Sequence, residues 1–558
     1  MMNQEEHLKK RAPPRYIIIP SYVLAVIFFG LMMYISYSTS QRFLEERKES
    51  GGAPLRLDKG WVSDRLIDKT DPQWRSLRGS LFILLIAGTL SSIISYLIRT
   101  NLCKSSKTPI IAYNTIFSLL FLCYLHKQFV IFPILVALIN FSIAKTFRAS
   151  RLTVPLTWLL NLTVLFSSDY FGGYSFGYIL GPEFDFLDSD RGPIQWSVCF
   201  NISMCRLISF NVDYYQALKS HAANMLLPSD VVAPDDSSSK TSKWSENRQR
   251  QESRLDPFKD YTLLGFLGYV FYAPLYIGGP VTGYNSYISY VKYKTQEEVN
   301  RSSKIRMTIM AIIYAICLDF GLHFLYSVGL NEKNLWNSPS FEMTSTEVAC
   351  TGAVTLIFMY MKFLIIWRLF RLWALWEGVN PPENMTNCIF NNYTVSGFWR
   401  SWHRSLYLFI VRYIYVPLGG SKNRMYSVWL IFGFIAVWHD LWTRWIAWAL
   451  ANCLLIMLET VVIHLASKSK FLARIRDVSN NTTRPYYNVL FCCAGGLCVV
   501  LMGMANLSII YGFLGSLEFM SRMLFGENSL YFIVISALMI PFGVEIMLHQ
   551  EERSSNNK

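Results

Sequence analysis

The sequence predicts an all-α polytopic membrane protein, and three observations carry that expectation. Hydrophobic residues make up 52% of the 558-residue chain and charged residues only 16%, too apolar a balance for an ordinary soluble protein of several domains. Apolar runs recur at lengths near the roughly 20 residues that cross a bilayer as a helix, a form that satisfies its own backbone groups in lipid. Aromatic residues reach 15%, with 16 Trp and 32 Tyr, and such rings anchor a helical bundle at the headgroup level. The net charge of +14 is not a nucleic-acid signature. Lys and Arg sit mostly in short connections between apolar runs, where they face anionic lipid and hold loops cytoplasmic. The 11 cysteines fall mainly in apolar runs. Cys199 with Cys205, and Cys492-Cys493 with Cys498, lack an accompanying His pattern, so they read as buried thiols and no metal site is expected.

Residues 1–40 form an N-terminal tail and anchor helix. Lys9-Lys10-Arg11 precede an apolar run from Ile17 to Tyr37 that is long enough to span and has no small-residue cleavage site. That puts the N-terminus in the cytoplasm and, by alternation, the polar stretch 41–79 in the lumen. Residues 80–218 hold membrane helices at Ser80–Ile98, Ile110–Leu125, Phe129–Ala144 and Leu152–Phe166. Several are too short for a full span and are therefore tilted, re-entrant or half-spanning. Tyr170–Asp190 mixes aromatics, glycines and acids, as in an ordered lumenal or interfacial loop. Residues 219–257 shift to Ser, Asp, Lys, Arg, Gln and Glu. Val231–Ser253 holds too little apolar material to offset its ordering entropy, so a disordered cytoplasmic loop is expected there.

Residues 258–360 return to membrane helices. Tyr261–Pro280 ends in Gly278-Gly279-Pro280, either a tight interhelical turn or a place where backbone approaches another group closely. Met307–Leu330 reads as one spanning helix with Asp319 and His323 four apart on one face. Ionisable groups at that depth must face protein or water. The pair reads either as a hydrogen bond that locks helix packing or as a polar wall of a reaction chamber. Val348–Trp376 runs apolar into Arg368 and Arg371, placed to clamp a phosphate or to snorkel. Leu441–Ala466, Val489–Tyr511 and Leu530–Met547 supply further spans, the last two within residues 449–558, around the basic loop Lys468–Arg484. Sequons at Asn384, Asn392, Asn480 and Asn481 are weak glycosylation signals.

Residues 361–448 carry the densest chemistry. Phe398-Trp399-Arg400-Ser401-Trp402-His403-Arg404 leads through Arg412-Tyr413-Ile414-Tyr415-Val416-Pro417-Leu418-Gly419-Gly420-Ser421-Lys422-Asn423-Arg424 to Val437-Trp438-His439-Asp440. Two histidines thus flank a basic, glycine-broken segment in an apolar chain. A neutral imidazole at bilayer depth accepts a proton from a hydroxyl without carrying a permanent buried charge. Either histidine alone also reads as a hydrogen bond between helices. On one helix, Trp399, His403 and Tyr407 would share a face beside a cationic edge of Arg400 and Arg404. Pro417-Leu418-Gly419-Gly420 ends any such helix. Lys422, Asn423 and Arg424 then form a short positive loop for the phosphates of coenzyme A or, equally, for lipid headgroups.

The segments FWRSWHRS, RYIYVPLGGSKNR and VWHD resemble the signature of the membrane-bound O-acyltransferase (MBOAT) family, most closely its glycerol-uptake-protein branch. Trp367–Trp376 and Pro382-Glu383-Asn384-Met385 are similar to that branch in order and wording. The resemblance is dense from Met361 to Trp448 and thinner over Gly60-Trp61, Asp68, Asp71–Arg78 and Tyr272–Pro280. It implies the MBOAT fold, about 11–13 transmembrane or re-entrant helices around an intramembrane reaction chamber. It also implies O-acyl transfer with acyl-CoA as co-substrate and no permanently bound cofactor. His439 matches the histidine assigned the general-base role. His403 matches a position where other branches carry Asn or Asp, which implies positioning or polarising the thioester. Trp399, Arg400, Arg404, Arg412, Lys422, Asn423, Arg424 and Trp438 are the expected acyl-CoA or headgroup contacts, and Asp319 and His323 the expected chamber wall. Asp440 stands where many branches have a small residue and marks the glycerol-uptake branch. By resemblance that branch acylates lyso-glycosylphosphatidylinositol (lyso-GPI) at the endoplasmic reticulum membrane. A lysophospholipid is the alternative acceptor and the plasma membrane the alternative location. The competing readings are a glycerol/proton symporter using Asp319 and His323, a protein acyltransferase of the Hedgehog-acyltransferase type, and a catalytically silent scaffold. No inverted repeat supports transport.

Overall fold

The computed structural model describes residues 15–50, 55–104, 106–225, 255–292, 299–339, 341–388, 391–472 and 484–556. Residues 226–254, most of the expected disordered loop, and 473–483 of the expected basic loop lie outside the described residues. Helix α1 (Arg15–Ser50) runs well beyond the expected end of the anchor. Its added turns are Gln, Arg, Leu, Glu and Lys, which lose little side-chain freedom in a helix and continue it readily. A hairpin of β1 (Leu57–Lys59) and β2 (Leu66–Asp68) follows, antiparallel with Leu57 opposite Asp68. It is the whole of the sheet structure among the described residues.

Helix α2 (Pro72–Asn101) begins where the Asp71 carboxylate accepts the Trp74 N–H at 2.6 Å. Pro72 occupies the first helical position, where a missing N–H leaves nothing unsatisfied. Helices α3 (Thr108–His126), α4 (Ile131–Phe147), α5 (Thr153–Tyr170) and α6 (Trp196–Met225) come next. The chain turns sharply between α3 and α4 at Lys127, φ 50°. Among the described residues, seven helices or helix pairs are long and apolar enough to cross a membrane. They include α2, the α3–α4 pair, α11 (Ser345–Trp376), α15 (Thr443–Lys468), and parts of α1, α16 (Arg484–Phe525) and α17 (Ser529–Asn556). Shorter helices include α7 (Leu263–Val270), α8 (Tyr284–Lys292), α9 (Arg301–Gly321), α10 (Ser327–Glu332), α12 (Val395–Ser401), α13 (Arg404–Ile410) and α14 (Arg424–His439).

Helix α6 runs through the largest apolar core, and it carries an arginine that is tied off inside the protein. The buried Arg206 guanidinium donates to the carbonyls of Val270 (3.0 Å) and Leu275. His126 bonds Ile194 O at 2.7 Å through Nδ1 and the Tyr276 hydroxyl at 2.9 Å through Nε2. Together they pin the segment before Gly278-Gly279-Pro280 into the core. An unpaired polar group at that depth would cost several kcal/mol.

The expected single helix over Met307–Leu330 is broken. Helix α9 ends at Gly321, and the Leu322 carbonyl accepts the Asp68 N–H at 3.0 Å, which couples the break to the β-hairpin. His323 and Asp319 complete the clasp. The Trp61 N–H donates to His323 Nε2 at 3.1 Å, and His323 Nδ1 lies 2.8 Å from Asp319 O, so the ring proton sits on Nδ1. The Asp319 carboxylate accepts from Arg78 Nε at 2.8 Å and from Trp61 Nε1 at 2.6 Å. Gly60 passes so close to the His323 ring that an added Cβ would overlap it, and that Cβ would sit 2.8 Å from Arg65 O. Gly60→Ala is therefore expected to lower the stability of the purified protein by about 1–3 kcal/mol, read as a drop in thermal midpoint in detergent.

Candidate active site

The segment expected to form one helix from Phe398 onward breaks at its histidine. Helix α12 stops at Ser401, His403 takes a left-handed backbone (φ 43°, ψ 47°), and α13 starts at Arg404. Trp399, His403 and Tyr407 therefore do not form one helical stripe, although all three line the same cavity. A left-handed non-glycine residue costs about 1–3 kcal/mol and persists only when its surroundings hold it. Asn384, fully buried, does the holding. Its carbonyl accepts the Arg404 N–H at 3.1 Å and its Oδ1 accepts the Ser405 N–H at 3.0 Å. Asn392 is likewise engaged, accepting from Ser401 Oγ at 3.1 Å and donating to Cys388 O. Both sequon asparagines are thus parts of the scaffold around the break.

The cavity measures 1210 Å³, above the roughly 300–1,000 Å³ of an ordinary small-molecule site. Arg424 and His439, the two ends of α14, both line it, so it extends along the whole helix, about 24 Å at 1.5 Å per residue. His403 and His439 face it from tryptophan trays. The His403 ring stacks on Trp367 at 4.6 Å and lies 6.0 Å from Trp438. The His439 ring stacks on Trp445 at 4.2 Å, with Trp438 and Trp448 edge-on at 4.8 and 6.2 Å. Neither imidazole is hydrogen-bonded among the described residues, whereas His126 and His323 have both ring nitrogens engaged. The indoles fix the planes of the two rings and leave their nitrogens to whatever enters the cavity.

Of the other candidates, Trp399, Arg400, Arg424 and Trp438 line the cavity. The Trp438 indole donates to Asn201 O at 2.7 Å and that of Trp399 to Asn452 Oδ1 at 3.2 Å. Arg404, Arg412, Lys422 and Asn423 are not on its wall. Arg412 reaches Asp213 at 3.5 Å, Asn423 closes its own loop on Leu418 O at 2.8 Å, and Lys422 is exposed. Asp319 and His323 also lie off the wall, held in the hairpin clasp. Arg368 and Arg371 neither clamp a phosphate nor snorkel, because both meet Glu383 (3.6 and 3.2 Å) and Arg371 also holds Pro381 O. Asp440 lines the cavity, with a buried Oδ1 that has no partner among the described residues.

The cavity also contains residues that sequence reasoning passed over: Trp367, Trp445 and Trp448 as ring supports, and Asp71, Glu332 and Lys362 as a polar cluster. Lys362 was findable, since a lysine in mid-span is a functional flag in itself. The tryptophans were not, because this chain is rich in them and stacking has no sequence signature. The backbone at residue 403 generates a further expectation. His403→Asn should keep the thermal midpoint near that of the parent, since Asn tolerates the left-handed region. His403→Val should lose roughly 1–2 kcal/mol.

The model of the MBOAT, membrane-bound O-acyltransferase family matches residues 110–504. Membrane-bound O-acyltransferase gup1 of Schizosaccharomyces pombe is 34% identical over 458 residues, 81% of this chain and 74% of that protein. Membrane-bound O-acyltransferase GUP1 of Saccharomyces cerevisiae is 29% identical over 543 residues, 95% and 90% of the two chains. Protein-cysteine N-palmitoyltransferase HHAT of Mus musculus is 27% identical over 211 residues, 35% and 40% of the two chains. A helical membrane protein with two imidazoles on one cavity, unengaged among the described residues, and matched over most of its length by the family model and the two yeast relatives, belongs to the membrane-bound O-acyltransferase family.

Proposed function

We propose that this acyltransferase moves a fatty acyl chain from acyl-CoA to a hydroxyl of lyso-GPI in the endoplasmic reticulum membrane, with His439 as general base. The observation that carries the reading is the pair of imidazoles on one cavity whose nitrogens have no partner among the described residues. The lyso-GPI acceptor and the location rest on the resemblance of the core motif to the glycerol-uptake branch.

An alcohol is a poor nucleophile at neutral pH. His439 takes the proton from the acceptor hydroxyl as its oxygen bonds to the thioester carbonyl carbon. The tetrahedral oxyanion then collapses, the C–S bond breaks, and the leaving thiolate recovers the proton from the imidazolium. Thioester and alcohol become ester and thiol, with no acyl-enzyme required, because the thioester is already activated. His403, held by its backbone and by Trp367, orients the thioester or polarises its carbonyl. Arg424 and Arg400 supply positive charge on the cavity wall for the phosphates of coenzyme A. The volume accommodates an acyl chain and an acceptor together.

The deciding experiment incubates purified protein in lipid with labelled acyl-CoA and a panel of lyso-GPI, lysophospholipids, glycerol and peptides. Label in lyso-GPI supports the reading. Label confined to peptides would favour protein acylation, which the partial match to a protein-cysteine N-palmitoyltransferase keeps in the panel. His439→Ala should lower turnover about 10²-fold or more, the usual size of general-base catalysis, with acyl-CoA binding and thermal midpoint nearly unchanged. His403→Asn should lose less, because an amide still donates and accepts a hydrogen bond. Arg424→Ala should raise the acyl-CoA KM roughly tenfold, about 1.4 kcal/mol, and change kcat less. Lys422→Ala, outside the cavity, should raise it less.

A further inference from the structure

We infer that Glu332, Lys362 and Asp71 form a subsite for the acceptor's polar head, a phospholipid-type headgroup whose phosphate meets Lys362 and whose hydroxyl or ammonium meets Glu332. The inference rests on the acyl-transfer reading above and extends it to how the acceptor is recognised.

All three residues line the cavity that contains the two histidines. Lys362 sits midway along α11, 2% exposed, with Nζ 2.6 Å from Asp71 Oδ2. The other Asp71 oxygen caps α2 through the Trp74 N–H. A packing role would account for that pair, since a buried lysine needs a counter-ion. It does not account for Glu332. This residue ends α10, in the connection between α9 and α11, and is partly buried. Its carboxyl has no hydrogen bond or ion pair among the described residues. The ammonium of Lys362 spends one N–H on Asp71, and no other hydrogen bond to it is present among the described residues. The cavity wall therefore offers an unused acceptor and unused donors side by side.

The charged groups around Glu332 come from every neighbouring element: Asp71 at the start of α2, Asp68 on β2, Lys362 on α11 and Lys333 next in sequence. From α16, Tyr511 bonds the adjacent Asn331 and adds no charge at neutral pH. Burial, with the nearby carboxylates of Asp71 and Asp68, pushes the Glu332 carboxyl up to about 7, against the opposing pull of Lys362 and Lys333. Position fits the role as well. Lys362 precedes Trp367 on α11 by five residues, about 7.5 Å along the axis, and Trp367 stacks on His403. The cluster and both histidines line one cavity.

The test uses the full-length protein in lipid nanodiscs at saturating acyl-CoA, with lysophosphatidylinositol, lysophosphatidylethanolamine and monoacylglycerol as acceptor probes. Glu332→Gln, nearly isosteric, should raise the KM for both phospholipids about tenfold while kcat and the acyl-CoA KM shift less than threefold. In the parent, kcat/KM for these acceptors should rise with pH through about 7 and level off, as the ionised carboxylate becomes available. That rise should vanish in Glu332→Gln and return in Glu332→Asp. Monoacylglycerol, which lacks the phosphate, should show the weakest KM in the parent. If it binds as tightly as the phospholipids, the Lys362 contact is wrong. Transfer with unaltered acceptor KM and pH profile in Glu332→Gln, or a loss confined to kcat or acyl-CoA KM, overturns the subsite alone. Absence of transfer to these probes and to lyso-GPI alike overturns the lipid-acceptor reading and the subsite with it.

Discussion

Inside a bilayer no water is available to satisfy a polar side chain, and the organisation of this protein follows from where each one finds a partner. Arg206 closes on two carbonyls, His126 on a carbonyl and a tyrosine, and Arg371 on Glu383 and Pro381. These pairs fasten helices and loops that apolar packing alone would leave free to slide, because lipid tails are as apolar as leucine. Among the described residues other buried polar atoms also lack a partner, Asn114 Oδ1, Asn211 Oδ1 and Asn384 Nδ2 among them. His403, His439, Glu332 and one oxygen of Asp440 differ in that all four residues face the same cavity.

The cavity exists because short elements replace long ones around it. Helices α12, α13 and α14 are too short to cross a membrane, and the breaks between them turn side chains inward. The left-handed backbone at His403 is the sharpest of these breaks, and Asn384 compensates it with two hydrogen bonds. Stacked indoles then restrict imidazole rotation without occupying imidazole nitrogens. A hydrogen-bonding partner would fix the ring equally well but would consume the lone pair that proton transfer needs.

Residue by residue, legibility depended on whether a signal is local. The apolar runs, the stop at Gly419-Gly420 and the paired histidines are written in short stretches, each with a local physical cause, whereas α2 starts at Pro72, eight residues before the expected Ser80, because the Asp71 carboxylate caps it. The long helix misread over Met307–Leu330 shows the opposite case. Its apolar pattern continues past Gly321, but the Asp68 N–H reaches in from the β-hairpin to take the Leu322 carbonyl, an interaction between residues far apart in sequence. Asp319 and His323 looked like chamber groups because ionisable residues in an apolar run look functional. Only the fold shows Arg78 and Trp61 arriving to occupy them.

By itself, the sequence determined that this is a helical membrane protein, and it pointed to one motif and two histidines as the place to look for its chemistry. Composition sets the solvent a chain can live in, and a motif records side chains that must act together whatever their exact placement. Tertiary structure alone decided which cations reach the cavity, separating Arg424 from Lys422 and Arg400 from Arg404. It also brought Lys362, Asp71 and Glu332 to one wall. Partner choice among polar groups depends on distances across helices, and those are set only when the helices pack.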